Sequence, residues 1–166
     1  MSTKDNLKEA FAGESQANRK YLAYAKKAEA EGFTQVAKLF RAAAEAETVH
    51  AHAHLRALGG IKNTEQNLED AVEGEAHEFQ SMYPPFLSQA QQENEKAAVI
   101  SFKYALAVEE IHHGLYKDAL DSVKTGKDLP PKKVYVCEIC GNTVYDEAPD
   151  RCPVCNAPKT KFDEVA

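Results

Sequence analysis

The chain has 166 residues, room for one domain of ordinary size and a small appendage. Its net charge of −6, with Lys and Arg scattered, argues against nucleic acid or an anionic membrane surface as a partner. No apolar run reaches membrane-spanning length, and the polar start Met1-Ser2-Thr3-Lys4-Asp5 lacks the apolar stretch of a signal peptide, so the cytoplasm is the expected location.

Abundant Ala, Glu, Lys and Gln predict helix over residues 1–124. The first helix is expected from Asp5 to Glu31, stopping at Gly32. The second starts with Thr34 as N-cap and ends at Gly59-Gly60. The third begins near Thr64 and must kink or restart at Pro84-Pro85. The fourth covers Lys96 to Val123. Residues 125–132, which include Gly126, Pro130 and Pro131, are expected to form a linker. In residues 133–166, β-branched and aromatic stretches alternate with Gly and Pro, as in short strands and tight turns.

All four cysteines lie in that last segment, as Cys137-Glu138-Ile139-Cys140 and Cys152-Pro153-Val154-Cys155. Two C-x-x-C turns can point four thiolates at one tetrahedral ion, and a disulfide framework does not suit a chain without secretory features. The four residues fit either a structural zinc or a redox-active iron.

The helices carry a second anomaly. Glu14 falls in the apolar stripe of the first helix, Glu47, His50 and His54 in that of the second, Glu75 and Glu78 in the third, and Glu109 and His112 in the fourth. A buried carboxylate needs a cation or must hold its proton. Lys and Arg lie mostly off these stripes, so a pair of metal ions is the simplest partner. The pattern also repeats: Glu14 precedes Glu47-Thr48-Val49-His50 by 33 residues, and Glu75 precedes Glu109-Glu110-Ile111-His112 by 34. Each half is a helical hairpin offering one Glu from its first helix and Glu-x-x-His from its second, the donor set of a carboxylate-bridged two-metal site in a ferritin-like bundle.

The segments Ala10-Phe11-Ala12-Gly13-Glu14-Ser15-Gln16-Ala17, Gly74-Glu75-Ala76-His77-Glu78 and Met82-Tyr83-Pro84, with bundle first and cysteine pairs second, resemble the rubrerythrins over essentially the whole chain. The resemblance implies an all-α four-helix ferritin-like bundle followed by a small β-rich rubredoxin-like metal knuckle domain. It implies a di-iron centre bridged by Glu47 and Glu109, with Glu14 terminal on one iron and Glu75 and His112 on the other. His50 and Glu78 would exchange on the first iron as its redox state changes, since anionic oxygen favours Fe(III) and imidazole suits Fe(II). Tyr21 and Tyr83 match tyrosines that hydrogen-bond ligand carboxylates, with packing as the plain alternative. His52, His54, His77 and His113 match no ligand position; His52, His77 and His113 are expected at the surface, and His54, one turn beyond His50, in the core or as a hydrogen-bond donor to the ligands. Asn156 stands where rubredoxins carry Gly, and Asn tolerates the left-handed backbone needed there. Tyr135, Tyr145 and Phe162 are the expected aromatic core of that domain.

The implied activity is a non-haem di-iron peroxidase. Hydrogen peroxide is the substrate, electrons pass through one Fe(SCys)4 iron formed by Cys137, Cys140, Cys152 and Cys155, and rubredoxin or its reductase is the donor. The competing reading is a ferritin-like iron oxidation and storage protein with a structural zinc tail, which needs a cage and no redox role for the cysteines. A zinc-ribbon interaction protein leaves the stripe glutamates unexplained. The segment Gly59-Gly60-Ile61-Lys62-Asn63 spans at most about 18 Å extended, whereas the second helix is about 36 Å long. Helices two and three therefore cannot run in the same direction within one chain, and a domain-swapped homodimer is expected.

Overall fold

The computed structural model describes residues 2–165 and contains five α-helices and three short strands. Helices α1 (Thr3–Ala30) and α2 (Thr34–Ala57) form the first hairpin. The second comprises α3 (Thr64–His77), a π segment (Glu78–Met82) and α4 (Tyr83–Gln92), followed by α5 (Lys96–Lys124). Strands β1 (Val134–Cys137), β2 (Thr143–Tyr145) and β3 (Phe162–Val165) form an antiparallel sheet in the order β2-β1-β3.

Local chemistry sets the helix boundaries. Ser2 and Asp5 make a reciprocal capping box, so α1 starts two residues earlier than expected. Its C-terminus closes with the N–H of Gly32 on Glu29 and the N–H of Phe33 on the Ala28 carbonyl, with Gly32 at φ +86°. That motif commits Phe33 to the turn. Phe33, not Thr34, is therefore the N-cap of α2, and it makes no side-chain cap bond; Thr34 is already helical.

The break expected at Pro84-Pro85 takes the form of a widened turn. Neither proline can donate an N–H to the helical ladder, and the chain resets through the π segment, with the Tyr83 N–H bonded to the Glu78 carbonyl five residues back. The prolines then sit in the first turn of α4, where a missing donor costs little.

Two compact units, Met1–Lys62 and Asn63–Ala166, make up the chain. The second unit takes in both the second hairpin and the cysteine-bearing segment. The physical reason lies on α5: a Cβ on Gly141 would rest 3.7 Å from Val108, and Thr143 bonds His112, so the cysteine-bearing segment belongs to the same unit as the second hairpin. In the first unit the buried residues are Ala25, Ala28, Ala37, Ala44 and Ala51, small side chains that let two helix backbones approach closely. Larger apolar residues of that hairpin are left uncovered, with Leu39 69% exposed, Val49 58% and Val36 46%. In the second unit Val108, Ala119 and Leu120 of α5 are buried. Tyr135, Tyr145 and Phe162 are half-buried on the strands of the small sheet.

Candidate metal centres

Packing of α1 on α2 brings the first triad together. Glu14, Glu47 and His50 each offer a donor atom, and these atoms lie within 4.8 Å of one another. His50 Nδ1 is 3.0 Å from Glu47 Oε2, the contact that an i, i+3 spacing permits on one helix face. The carboxyls of Glu14 and Glu47 bond to each other, and their shared proton holds Glu14 above the usual carboxylate range and Glu47 below it.

The second hairpin repeats the construction. Donor atoms of Glu75, Glu109 and His112 also lie within 4.8 Å. His112 Nδ1 is 2.9 Å from Glu109 Oε2 and 3.7 Å from Glu75 Oε1. Burial, and then the negative charge of Glu109, push the Glu75 carboxyl up to about 7. Glu78 is raised by burial and by Glu109, and the Tyr83 hydroxyl is raised by burial and by the carboxylates of Glu78, Glu109 and Glu75. At α-helical pitch, side chains five residues apart diverge by about 140°. The wide turn between Glu78 and Tyr83 narrows that angle and turns both toward the same cluster.

Carboxyls crowded in this way either hold protons or share a cation. Each Glu₂His triad of hard oxygens and imidazole suits iron or manganese. Stripped of metal, the protein should expose the strain in its titration. Glu75 binds its proton more tightly folded than unfolded, so the stability it contributes is full below pH 4.5 and is lost as pH rises through about 7. Glu75→Gln should remove roughly 1 kcal/mol of that fall, well below the full linkage value because solvent reaches the group. Urea unfolding of both metal-free proteins on either side of the window checks this; parallel stability curves would contradict it.

The four cysteine sulfurs form the third cluster, all within 4.8 Å of one another. Cys137 to Cys155 is 3.6 Å and Cys140 to Cys152 is 3.5 Å, far beyond a disulfide bond, and all four thiols are free. Gly141 and Asn156 occupy equivalent places in the two turns, at φ +84° and +62°. Each follows an N–H bond back to the first cysteine of its pair, Gly141 to the Cys137 carbonyl and Asn156 to that of Cys152. Burial raises the Cys152 thiol, but backbone N–H groups of Cys155 and Val154 outweigh it and bring it down to about 7. The amide of Asn142, itself 1% exposed, lies 3.7 Å from the same sulfur. Tetrahedral four-sulfur coordination fits this arrangement.

Other expected positions divide. Tyr21 packs its ring 6.1 Å from Phe40 and 6.3 Å from Tyr24, and among the described residues its hydroxyl makes no hydrogen bond to Glu14 or Glu47. His52 and His77 are exposed, and His54 is only half-buried. His113, expected at the surface, is half-buried instead: its Nδ1 is 3.0 Å from the Val72 carbonyl and its ring 5.4 Å from Phe79. Thr143 and Asn142 carried no sequence signal, since their roles come from contacts across the fold rather than from spacing.

Residues 5–120 match the family model described as rubrerythrin, and residues 135–163 the one described as the rubrerythrin rubredoxin-like domain. "Rubrerythrin-2" of Clostridium acetobutylicum is 39% identical over 96% of this chain and 95% of its own length. "Nigerythrin" of Nitratidesulfovibrio vulgaris is 34% identical over 97% and 85%. A solved structure described as the fully reduced, all-ferrous state of nigerythrin superimposes with a TM-score of 0.59 at 32% identity, covering 99% of this chain and 87% of that one.

Proposed function

From the premise that the chain belongs to the rubrerythrin family, as a di-iron oxidoreductase with a rubredoxin-like domain, we propose that it reduces hydrogen peroxide to water in defence against oxidative stress. The observation that carries this reading is the pairing of two Glu₂His triads with a four-thiolate site in one chain. When bound, the di-iron centre supplies two electrons to the O–O bond, and the four-thiolate iron returns them singly. The overall balance is one peroxide, two electrons and two protons to two waters.

The residues of this chain hold and neutralise that chemistry. Glu14, Glu47 and His50 would hold one metal and Glu75, Glu109 and His112 the other, with Glu47 and Glu109 the carboxylates that would be shared between them. His50 and Glu78 would be the exchangeable pair of ligands for the first metal. This is supported by the 56% exposure of the His50 side chain, against 27% for His112, and by the half-buried Glu78 carboxyl held above its ordinary range beside Glu109. Glu75, Glu78 and the Tyr83 hydroxyl are the groups placed to hold protons near the reacting oxygen. Tyr21 supports the first hairpin through its packing on Phe40. Rubredoxin or its reductase delivers electrons to the iron of Cys137, Cys140, Cys152 and Cys155, in the cytoplasm. Residues 1–124 form the bundle, 125–132 the linker and 133–166 the electron-relay domain.

Each complete centre draws its two triads from different chains of a domain-swapped homodimer. Between the last residue of α2, Ala57, and the first of α3, Thr64, the connection extends to about 25 Å at most, too short to return along the roughly 36 Å of α2. The uncovered Leu39, Val49 and Val36 of the first hairpin supply an apolar face for the partner.

Stopped-flow mixing of fully reduced, iron-loaded protein with hydrogen peroxide tests the activity. The di-iron absorption should appear first and the red oxidised four-thiolate iron afterwards. A di-iron site that peroxide does not oxidise, or a zinc-filled cysteine site with undiminished turnover, would overturn it.

A further inference from the structure

The cysteine-bearing segment reaches the second triad through one side chain. Thr143, at the start of β2, places Oγ1 2.9 Å from His112 Nε2 and 3.1 Å from the Gly141 carbonyl oxygen. A threonine hydroxyl has a single proton to donate. The Gly141 carbonyl can only accept, so the hydroxyl proton goes there and the oxygen lone pair is left facing the imidazole. His112 Nε2 must then be the donor. On the other side of the ring, Nδ1 faces Glu109 and Glu75. A metal held by Nδ1 needs the lone pair of that nitrogen, which leaves the remaining ring proton on Nε2. The two requirements coincide.

We infer that Thr143 is a positioning residue for the metal centre: by accepting from His112 Nε2–H it fixes both the tautomer and the plane of the ring, presenting Nδ1 to the metal beside Glu109 and Glu75. The contact borders a cavity of about 330 Å³ whose walls include Leu68, Leu115, Ala119 and Leu129, and among the described residues Thr143 is the hydrogen-bond partner of Nε2. The first triad lacks this device. Among the described residues the hydrogen bond of His50 is the one to Glu47, and its side chain is 56% exposed. One histidine is pinned from both sides and its counterpart from one. Gly141 also directly follows Cys140, so the hydroxyl that orients His112 is anchored on the metal-binding turn of the small sheet.

This inference rests on His112 being a ligand, and its test separates the two claims. Full-length protein with iron in the cysteine site is titrated with Co(II) by calorimetry, as wild type, Thr143→Val, Thr143→Ser and His112→Gln. Valine keeps the branched shape and removes the hydroxyl; it should weaken binding at the two-metal site roughly tenfold or more, and serine should restore it. A purely structural role would not move the Nε2 proton. With diamagnetic zinc in all sites, its NMR resonance, assigned by its loss in His112→Gln, should exchange slowly with water in wild type and Thr143→Ser and fast in Thr143→Val. Unchanged affinity in Thr143→Val overturns the inference, as does weakened binding that serine fails to restore. A rapidly exchanging Nε2 proton in wild type is sufficient by itself. Unchanged affinity in His112→Gln overturns the ligand assignment, and the inference with it.

Discussion

Mixing two dead variants should restore peroxidase activity. Glu47→Ala removes a carboxylate from the triad of the first hairpin and Glu109→Ala its counterpart from the second, so under the proposed exchange a homodimer of either variant would have both centres damaged. In a swapped heterodimer, one centre joins the two lesions and the other joins the two intact hairpins. Random co-refolding of equal amounts makes half the dimers mixed, each with one good centre of two, for about a quarter of wild-type activity. The substituted residues are half-buried donors on helices that pack through other side chains, so the variants should fold. If each chain built its centre from its own hairpins, every centre in the mixture would carry one lesion, and activity would stay at the level of the separate variants. Turnover measured before and after co-refolding decides between them.

Cys152→Ser should abolish turnover while sparing the first encounter with peroxide. Cys152 is 2% exposed and receives N–H groups from Cys155 and Val154, with the Asn142 amide nearby, so a harder, smaller oxygen there is a poor replacement for thiolate in a tetrahedral sulfur site. Steady-state peroxide consumption should drop by at least about a hundredfold once the relay is lost. Chemically reduced protein should still oxidise its di-iron centre once, at a rate near that of wild type, because both triads come from helices. The measurement is single-turnover stopped flow beside steady-state turnover. Equal loss in both would place the cysteine site in the chemical step; equal retention would make it structural.

The parts of the centre that follow from helical spacing were legible in the sequence. Glu47 with His50 and Glu109 with His112 sit at i, i+3, and the structure joins each pair to the Glu from the neighbouring helix in the predicted triad. The four cysteines converge for the same reason: two turns of identical spacing have one way to close on an ion. Asn156 adopts the left-handed backbone that its substitution for Gly required. What escaped depends on contacts that spacing does not encode. Thr143 lies 31 residues from His112 and meets it only because α5 and β2 pack together. The sequence places His113 at the surface because helical phase alone cannot show that Val72 and Phe79 receive it. Thr34 satisfied the composition rule for a cap, yet the turn motif at Gly32 claimed the preceding residue first. The prolines announced a break but not its form, since losing two donors is compatible with a kink, a gap or a wide turn.

That wide turn leaves a mark on how the gene can change. Between Glu78 and Tyr83 lie Phe79, Gln80, Ser81 and Met82, and the middle two point to solvent. Their identities are nearly free to drift. Their number is not: removing one codon would close the wide turn to α-helical pitch, leaving Tyr83 on its face but setting the rings of Pro84 and Pro85 against carbonyls four residues back in a continuous helix. Along this stretch the fold constrains a count rather than an alphabet, and a comparison that scores only residue identity is blind to it.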